Sequence, residues 1–240
     1  MAANERKYVL AFNSSPHKEK GLTDKVLCRF MAGAEAEGAD TEIVYLAEKK
    51  IADCVGCTFC WFKTPGVCRH KDDVPALHEK MLKADVLVMA TPLYVCGMNG
   101  IMKRFFDRIL PLAEPYQEYD DGVCRHPSYF EKPMKVVLVS TCGFPGLRNF
   151  DPLLLTFERM YEVGGGGLEA AILFPSSTAL ARDPNPAEEQ LEYVYQAGRE
   201  VMGEGISEET VQGYSRPYVD PHNYVDELNE LFRVMQENIP

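Results

Sequence analysis

Apolar residues in this chain fall into short runs set between stretches of helical spacing, and their order outlines a fold. Residues 8–12 form a continuous apolar run with the length and residue types of a buried parallel strand. After a polar stretch, Val26, Leu27, Phe30 and Met31 recur on one helical face as far as Gly38. Residues 41–46 read as a second strand, 74–82 as a helix and 86–90 as a third strand. The apolar spacing of 98–109 is helical until Pro111 stops it, and an irregular Tyr- and Pro-rich segment, 115–133, follows. Residues 135–140 make a fourth strand, 153–161 a helix, 168–174 a fifth strand and 188–202 the last helix of the core. Beyond Gly203 the chain turns polar and Pro-punctuated, with one further amphipathic helix at 224–235.

Five apolar strands alternating with helices predict an α/β fold, a doubly wound five-stranded parallel sheet. It should occupy residues 1–203, with 204–240 as an extension packing on the core or on a neighbouring subunit. Open sheets of this kind bind ligands beyond the carboxyl ends of their strands, where the strand order switches. Residues 13–23, 91–98 and 141–147 leave those ends after strands one, three and four, so a site should be built from them.

Composition narrows the function classes. The formal net charge of −11, from 25 basic and 36 acidic residues, disfavours nucleic acid, which needs a basic patch to neutralise phosphates. There is no run of 18 apolar residues, and the first ten residues turn polar before any apolar run begins. The expectation is therefore a cytoplasmic protein with no membrane partner, in which clustered cysteines bind metal or do redox work more often than they form disulfides.

The first of the three segments, Ser14-Ser15-Pro16-His17-Lys18 followed by Gly21-Leu22-Thr23, joins a buried strand to a helix start. Hydroxyls and backbone N–H groups there can face an anion, with the helix dipole adding positive charge; an ordinary Ser/Thr cap is the competing reading. Neither a Walker loop nor a GxGxxG fingerprint is present. In the second, Pro92, Leu93, Tyr94, Val95, Cys96, Gly97 and Met98 leave strand three, with Pro92 and Gly97 expected to force a tight path. Tyr94 and Met98 offer flat or polarizable surface to a ring. The third, Thr141-Cys142-Gly143-Phe144, is by itself only a turn.

The order of these segments resembles the flavodoxin-like NAD(P)H-dependent FMN reductases over residues 8–202. That family carries a G-S-P-R-x-x-G-N-T-type phosphate loop; here His17 stands for the Arg, Leu22 for the Asn, and Asn13 where Gly is frequent. Its S/T-P-x-Y…M…K-x-F-x-D-R stretch is matched by Thr91, Pro92, Tyr94, Met98, Lys103, Phe105, Asp107 and Arg108. The resemblance implies strand order 2-1-3-4-5 and FMN held by the residues named in the three segments. It also implies hydride transfer from NAD(P)H to the flavin against Tyr94 or Phe144, a small-molecule or protein electron acceptor, and a homodimer or homotetramer.

Half of the eight cysteines lie in one segment after strand two, 53–73, as Cys54, Cys57, Cys60 and Cys68, spaced C-x2-C-x2-C-x7-C. Four thiolates at that spacing suit an iron–sulfur cubane; free or redox-active thiols and, less naturally for a triple cluster, zinc are the other readings. The motif also resembles that of the iron–sulfur flavoproteins, a branch of the same family, which implies a 4Fe–4S cluster. Three functional classes follow: an NAD(P)H oxidoreductase, an electron carrier between ferredoxin-like partners, and a sensor using the cysteine loop as its switch. Of the remaining polar residues, Asp72-Asp73 read as a helix N-cap pair, Cys28 as a core residue, and all five histidines, His78 among them, as surface or loop.

Overall fold

The structure, a computed structural model, describes residues 6–130, 134–163, 167–183 and 185–238. Its strands are β1 (Tyr8–Asn13), β2 (Asp40–Tyr45), β3 (Val86–Tyr94), β4 (Gly97–Met98), β5 (Glu118–Asp120), β6 (Val123–Arg125), β7 (Lys135–Thr141) and β8 (Leu168–Phe174). The helices are α1 (Leu22–Ala36), α2 (Phe59–Phe62), α3 (Val74–Lys83), α4 (Gly100–Phe106), α5 (Asp151–Val163), α6 (Thr178–Arg182), α7 (Glu188–Glu200), α8 (Glu208–Tyr214) and α9 (Pro221–Glu237). Five strands form one parallel sheet in the order β2-β1-β3-β7-β8, which is the flavodoxin-like order that the family resemblance implies.

Alternation along each strand divides the core into two layers. Val9, Ala11, Val88, Val139 and Ile172 face α1 and α7, where Phe30 and Val194 are fully buried. Leu10, Phe12, Met89 and Leu138 face α3, α4 and α5, packing with Leu77, Phe105 and Phe157. Each such large side chain contributes about 1.5–3 kcal/mol of burial. In the first layer the helix backbones themselves meet. A Cβ on Gly33 would lie 2.0 Å from the Tyr195 carbonyl oxygen, and one on Gly198 would lie 1.9 Å from that of Phe30. No side chain fits between α1 and α7 there.

Several boundaries differ from the sequence expectation. Strand β3 runs on to Tyr94 and folds back as a hairpin onto β4, so α4 starts only at Gly100. The segment expected to be irregular contains the β5–β6 hairpin, in which Tyr119 pairs with Cys124; residues 131–133 lie outside the described residues. The extension carries two helices rather than one. Tyr214 of α8 joins the first core layer, whereas α9 buries only Tyr224 and leaves Leu231, Phe232, Val234 and Met235 exposed. His78 is buried on α3, not at the surface, and Cys28 is exposed rather than in the core. Among the described residues, no helix is long and apolar enough to cross a membrane.

Candidate functional site

The first loop is shaped from within by a buried asparagine. Asn13, the last residue of β1, donates from Nδ2 to Asp24 Oδ1 (2.9 Å) and accepts the Ser15 N–H on Oδ1 (2.8 Å). Ser14 donates its N–H and its hydroxyl to the Ala90 carbonyl at 2.9 and 3.2 Å. The Ser15 hydroxyl accepts the His17 N–H (3.3 Å), and Gly21 closes over it: a Cβ on Gly21 would stand 2.4 Å from Ser15 Oγ. Because Gly21 is also the N-cap of α1, no side chain caps that helix, and its first-turn amides face the loop. Pro16 and His17 are exposed. Lys18, at φ 51°, turns its ammonium to Glu48 (2.7 Å), a pairing that raises the lysine pKa.

Two buried side-chain bonds lock the three segments together. Asn99 donates from Nδ2 to the Ser14 carbonyl (2.7 Å) while its Oδ1 caps α4 by accepting the Met102 N–H (3.0 Å). Thr23 and Thr141 share a hydroxyl–hydroxyl bond of 2.7 Å. In the second segment the tight turn falls at Val95 and Cys96, with φ of 48° and 62°, and not at Gly97. Two left-handed residues match a two-residue hairpin, although a β-branched Val there is strained. The turn lifts Tyr94 and Val95 into solvent and exposes Cys96; Leu93 and Met98 pair across it, half-buried.

In the third segment Cys142 is buried, its Sγ accepts the Phe144 N–H (3.3 Å), and burial pushes its thiol pKa up. Phe144 is exposed, and the Gly143 carbonyl accepts the Tyr224 hydroxyl of α9 (2.6 Å). The structure thus brings Ser14, Ser15, Gly21, Thr23 and Thr141 to one end of the sheet, with Tyr94 and Phe144 exposed at that end. Asn13, Asp24, Asn99 and Tyr224 were not anticipated as site residues. Asn99 lies inside the stretch expected to be helical, 98–109, and becomes an N-cap only because α4 starts at Gly100.

The cysteine segment is a loop with a tied neck. Asp72 Oδ2 accepts the Ala52 N–H (2.9 Å), and Asp73 Oδ2 accepts the Lys50 N–H (2.7 Å). Arg108, just past α4, donates from Nη1 to the Ala52 carbonyl and to Asp72 Oδ2, both at 2.7 Å, and from Nη2 to Asp72 Oδ1 (3.1 Å). Asp72 does bond the Val74 N–H (3.2 Å), but its carboxylate is chiefly the partner of Arg108 rather than half of a capping pair. Burial opposes its charge, yet Arg108 and the two amides outweigh burial and hold its pKa below the usual range.

Within the loop, α2 buries Cys60, whose thiol pKa burial pushes up, and Trp61 Nε1 donates to the Ala113 carbonyl (2.8 Å). Cys54, Cys57, Cys60 and Cys68 all line one cavity of about 20 Å³, together with His70 and Arg108. No disulfide joins any of the eight cysteines. Among the described residues, no three His, Cys, Asp or Glu side chains are drawn close enough to hold a single metal ion.

These features test two groups. An FMN phosphate fits the first loop, which offers uncapped helix amides, the Ser15 hydroxyl and a glycine that no side chain could replace. The donor set of the cysteine cavity is chemically that of an iron–sulfur cluster: four thiols surround one space, and two buried nitrogens beside them, Arg108 Nε and His70 Nε2, have no partner. A cubane spreads its thiolates over separate irons, so it needs them around a space rather than converged on one point. A space of about 20 Å³ holds little more than one water, so a cluster would enter only with the loop moved outward.

Comparison with known proteins agrees with this geometry. The sequence profile described as NADPH-dependent FMN reductase matches residues 8–160. An iron-sulfur flavoprotein of Methanocaldococcus jannaschii is 36% identical over 109 residues, covering 45% of this chain and 55% of the relative. One from Archaeoglobus fulgidus is 36% identical over 105 residues, covering 42% and 47%. The chain therefore spans about half the length of these curated relatives. Among solved structures, an NAD(P)H:quinone oxidoreductase from Methanothermobacter marburgensis superposes with a TM-score of 0.60 at 19% identity, covering 82% of this chain and 99% of the other. An FMN-dependent NADH-azoreductase from Bacillus anthracis gives 0.60 at 13% identity, covering 82% and 97%. At those identities the likeness is one of fold.

Proposed function

We propose, from the premise that this chain belongs to the NADPH-dependent FMN reductase family, that it is an FMN-dependent oxidoreductase drawing electrons from NAD(P)H. Bound FMN supplies two-electron chemistry with the donor and one- or two-electron chemistry with the acceptor. The observation that carries the reading is the bonded assembly of three loops around the uncapped start of α1, joined by Asn99–Ser14 and Thr23–Thr141.

The chain's own residues would act by holding and excluding. Ser15 and the first amides of α1 bind the phosphate, and Asn13 fixes the Ser15 amide so that the loop is formed before FMN arrives. The Val95–Cys96 turn holds Tyr94 exposed at this end of the sheet, where it would pack against a bound flavin, and Phe144 stands exposed on the third loop, where it would stack against the donor or acceptor. The acceptor is a small electron-accepting molecule or a redox protein, and the exposed apolar residues of α9 suit assembly into a homodimer or homotetramer.

The four-cysteine cavity supports a second element of the reading, a 4Fe–4S cluster held by Cys54, Cys57, Cys60 and Cys68. It would let electrons leave the protein singly. Anaerobic purification tests both parts. FMN-loaded protein should show flavin absorption, oxidise NAD(P)H in steady state with an added quinone or flavin, and contain iron and sulfide. Reduction by ferredoxin alone would instead identify an electron carrier. Absence of FMN binding after reconstitution would overturn the flavin reading, and absence of iron after anaerobic reconstitution would overturn the cluster.

A further inference from the structure

The buried guanidinium of Arg108 has more donors than the protein has acceptors for it. Its side chain is 1% exposed, so bulk water does not reach it to complete its bonding. Of its five N–H groups, both on Nη1 are used, by Ala52 and Asp72, and one on Nη2 by Asp72. Nε has no partner among the described residues, and the remaining donor has only the neighbouring Cys68 thiol. A buried donor without an acceptor is unfavourable, and a charged one more so. The side chain lines the same cavity as the four cysteines. Its raised pKa reflects burial opposed by Asp72 and by the neighbouring Cys68.

The bonds Arg108 does make also set its aim. Asp72 and Ala52 are the two sides of the loop neck, so the fork that grips them fixes the guanidinium plane relative to the whole cysteine loop. Lysine could not do this, because a single ammonium lacks the planar, bidentate geometry. The site is therefore a built one: a cation held on one side by Asp72 and bordering the cavity that Cys68 also lines.

We infer that Arg108 is a positioning residue of the cysteine cavity, donating its unused N–H groups to the Cys68 sulfur and to the inorganic sulfur of the bound cluster. This rests on the reading that the cavity holds a cluster. Arg108 would then do two things at once: hold the neck of the loop and raise the reduction potential of the cluster by hydrogen bonds and positive charge on its sulfurs.

Two variants test it in the full-length protein reconstituted anaerobically with iron, sulfide and FMN. R108M combined with D72N removes both buried charges together, so that neither is left unpaired; R108K keeps the charge opposite Asp72 but not the fork. Retained FMN, measured by quenching of flavin fluorescence, reports that the fold is intact. Both variants should then show a cluster potential more negative than wild type by EPR-monitored titration. They should also lose iron to a chelator roughly ten- to a hundredfold faster, the range seen when an outer hydrogen bond to a metal ligand is removed. A merely structural role would not move the potential. Unchanged potential and iron retention in both variants overturn the role of Arg108 while leaving the cluster standing. Wild-type protein that takes up no iron overturns the cluster reading itself.

Discussion

Replacing Asn99 would separate the two jobs its side chain does. With 2% of its surface exposed, it caps α4 through Oδ1 and holds the first loop through Nδ2 on the Ser14 carbonyl. Asn99→Ala removes a cap, which costs about 1 kcal/mol. It also leaves the buried Ser14 carbonyl without that donor, for about 1–3 kcal/mol more. The expected loss is thus about 2–4 kcal/mol in urea unfolding of FMN-free protein. Asn99→Asp keeps the cap, since a carboxylate accepts the Met102 amide equally well, but it sets an acceptor against the Ser14 carbonyl. It also places a negative charge beside the loop proposed to hold a phosphate. A buried carboxylate against a carbonyl is at least as costly to the fold as the alanine. Both variants should therefore unfold more readily, and FMN binding is the assay that separates them. Alanine should cost more helix capping, while aspartate should bind FMN more weakly, by at least about tenfold relative to alanine (about 1.4 kcal/mol). Fluorescence titration of FMN reads the second quantity. If Asn99→Ala stays within about 0.5 kcal/mol of wild type, or Asn99→Asp binds FMN as tightly as wild type, the cross-loop bond does not organise the site.

Three further outcomes follow from the structure. Gly198→Ala should destabilise by about 2 kcal/mol despite alanine's better helix propensity, because its Cβ meets backbone oxygen that cannot rotate away; a fall in Tm of several degrees checks it. Tyr224→Phe should leave the global unfolding midpoint nearly unchanged while speeding hydrogen exchange in residues 142–144, because it deletes only the bond to the Gly143 carbonyl. His78 is buried with its pKa lowered to about 4, first by burial and then by Arg108. The unfolded chain therefore takes up a proton near pH 6.5 that the folded one refuses until about pH 4. Stability present above pH 6.5 is lost as pH falls through that window, by at most about 3 kcal/mol. His78→Phe should flatten this part of the curve, and equal slopes for both proteins between pH 6.5 and 4 would contradict it.

The sheet was legible because its strands are buried on both faces and so appear as unbroken apolar runs, as in 8–12 and 135–140. What escaped was polar and buried. His78 sits at a position whose burial no local pattern announces, and Asn13 and Asp24 become partners only when the β1–α1 turn closes. The turn after β3 was misplaced because glycine is the usual sign of positive φ, whereas this chain puts Val95 and Cys96 there. The cysteine spacing was visible at once, but the neck that holds the loop is not in the motif. Ala52, Asp72 and Arg108 come from three separate stretches, joined only by the tertiary fold. Similarly, α9 was visible as an amphipathic helix, but its tether to the third loop depends on one tyrosine hydroxyl.

The bare contact between α1 and α7 bears on how this chain could be recombined with its relatives. The family profile ends at residue 160, ahead of α7, which makes that point an inviting place to splice one homologue onto another. Yet Gly33 lies before it and Gly198 after it, each fitted to the other helix's main chain at under the width of a methyl group. A crossover anywhere between them would draw the two helices from different parents. Only parents that both carry glycine at the two positions, at the same helix register, would give offspring whose first helix still lies flat on its support.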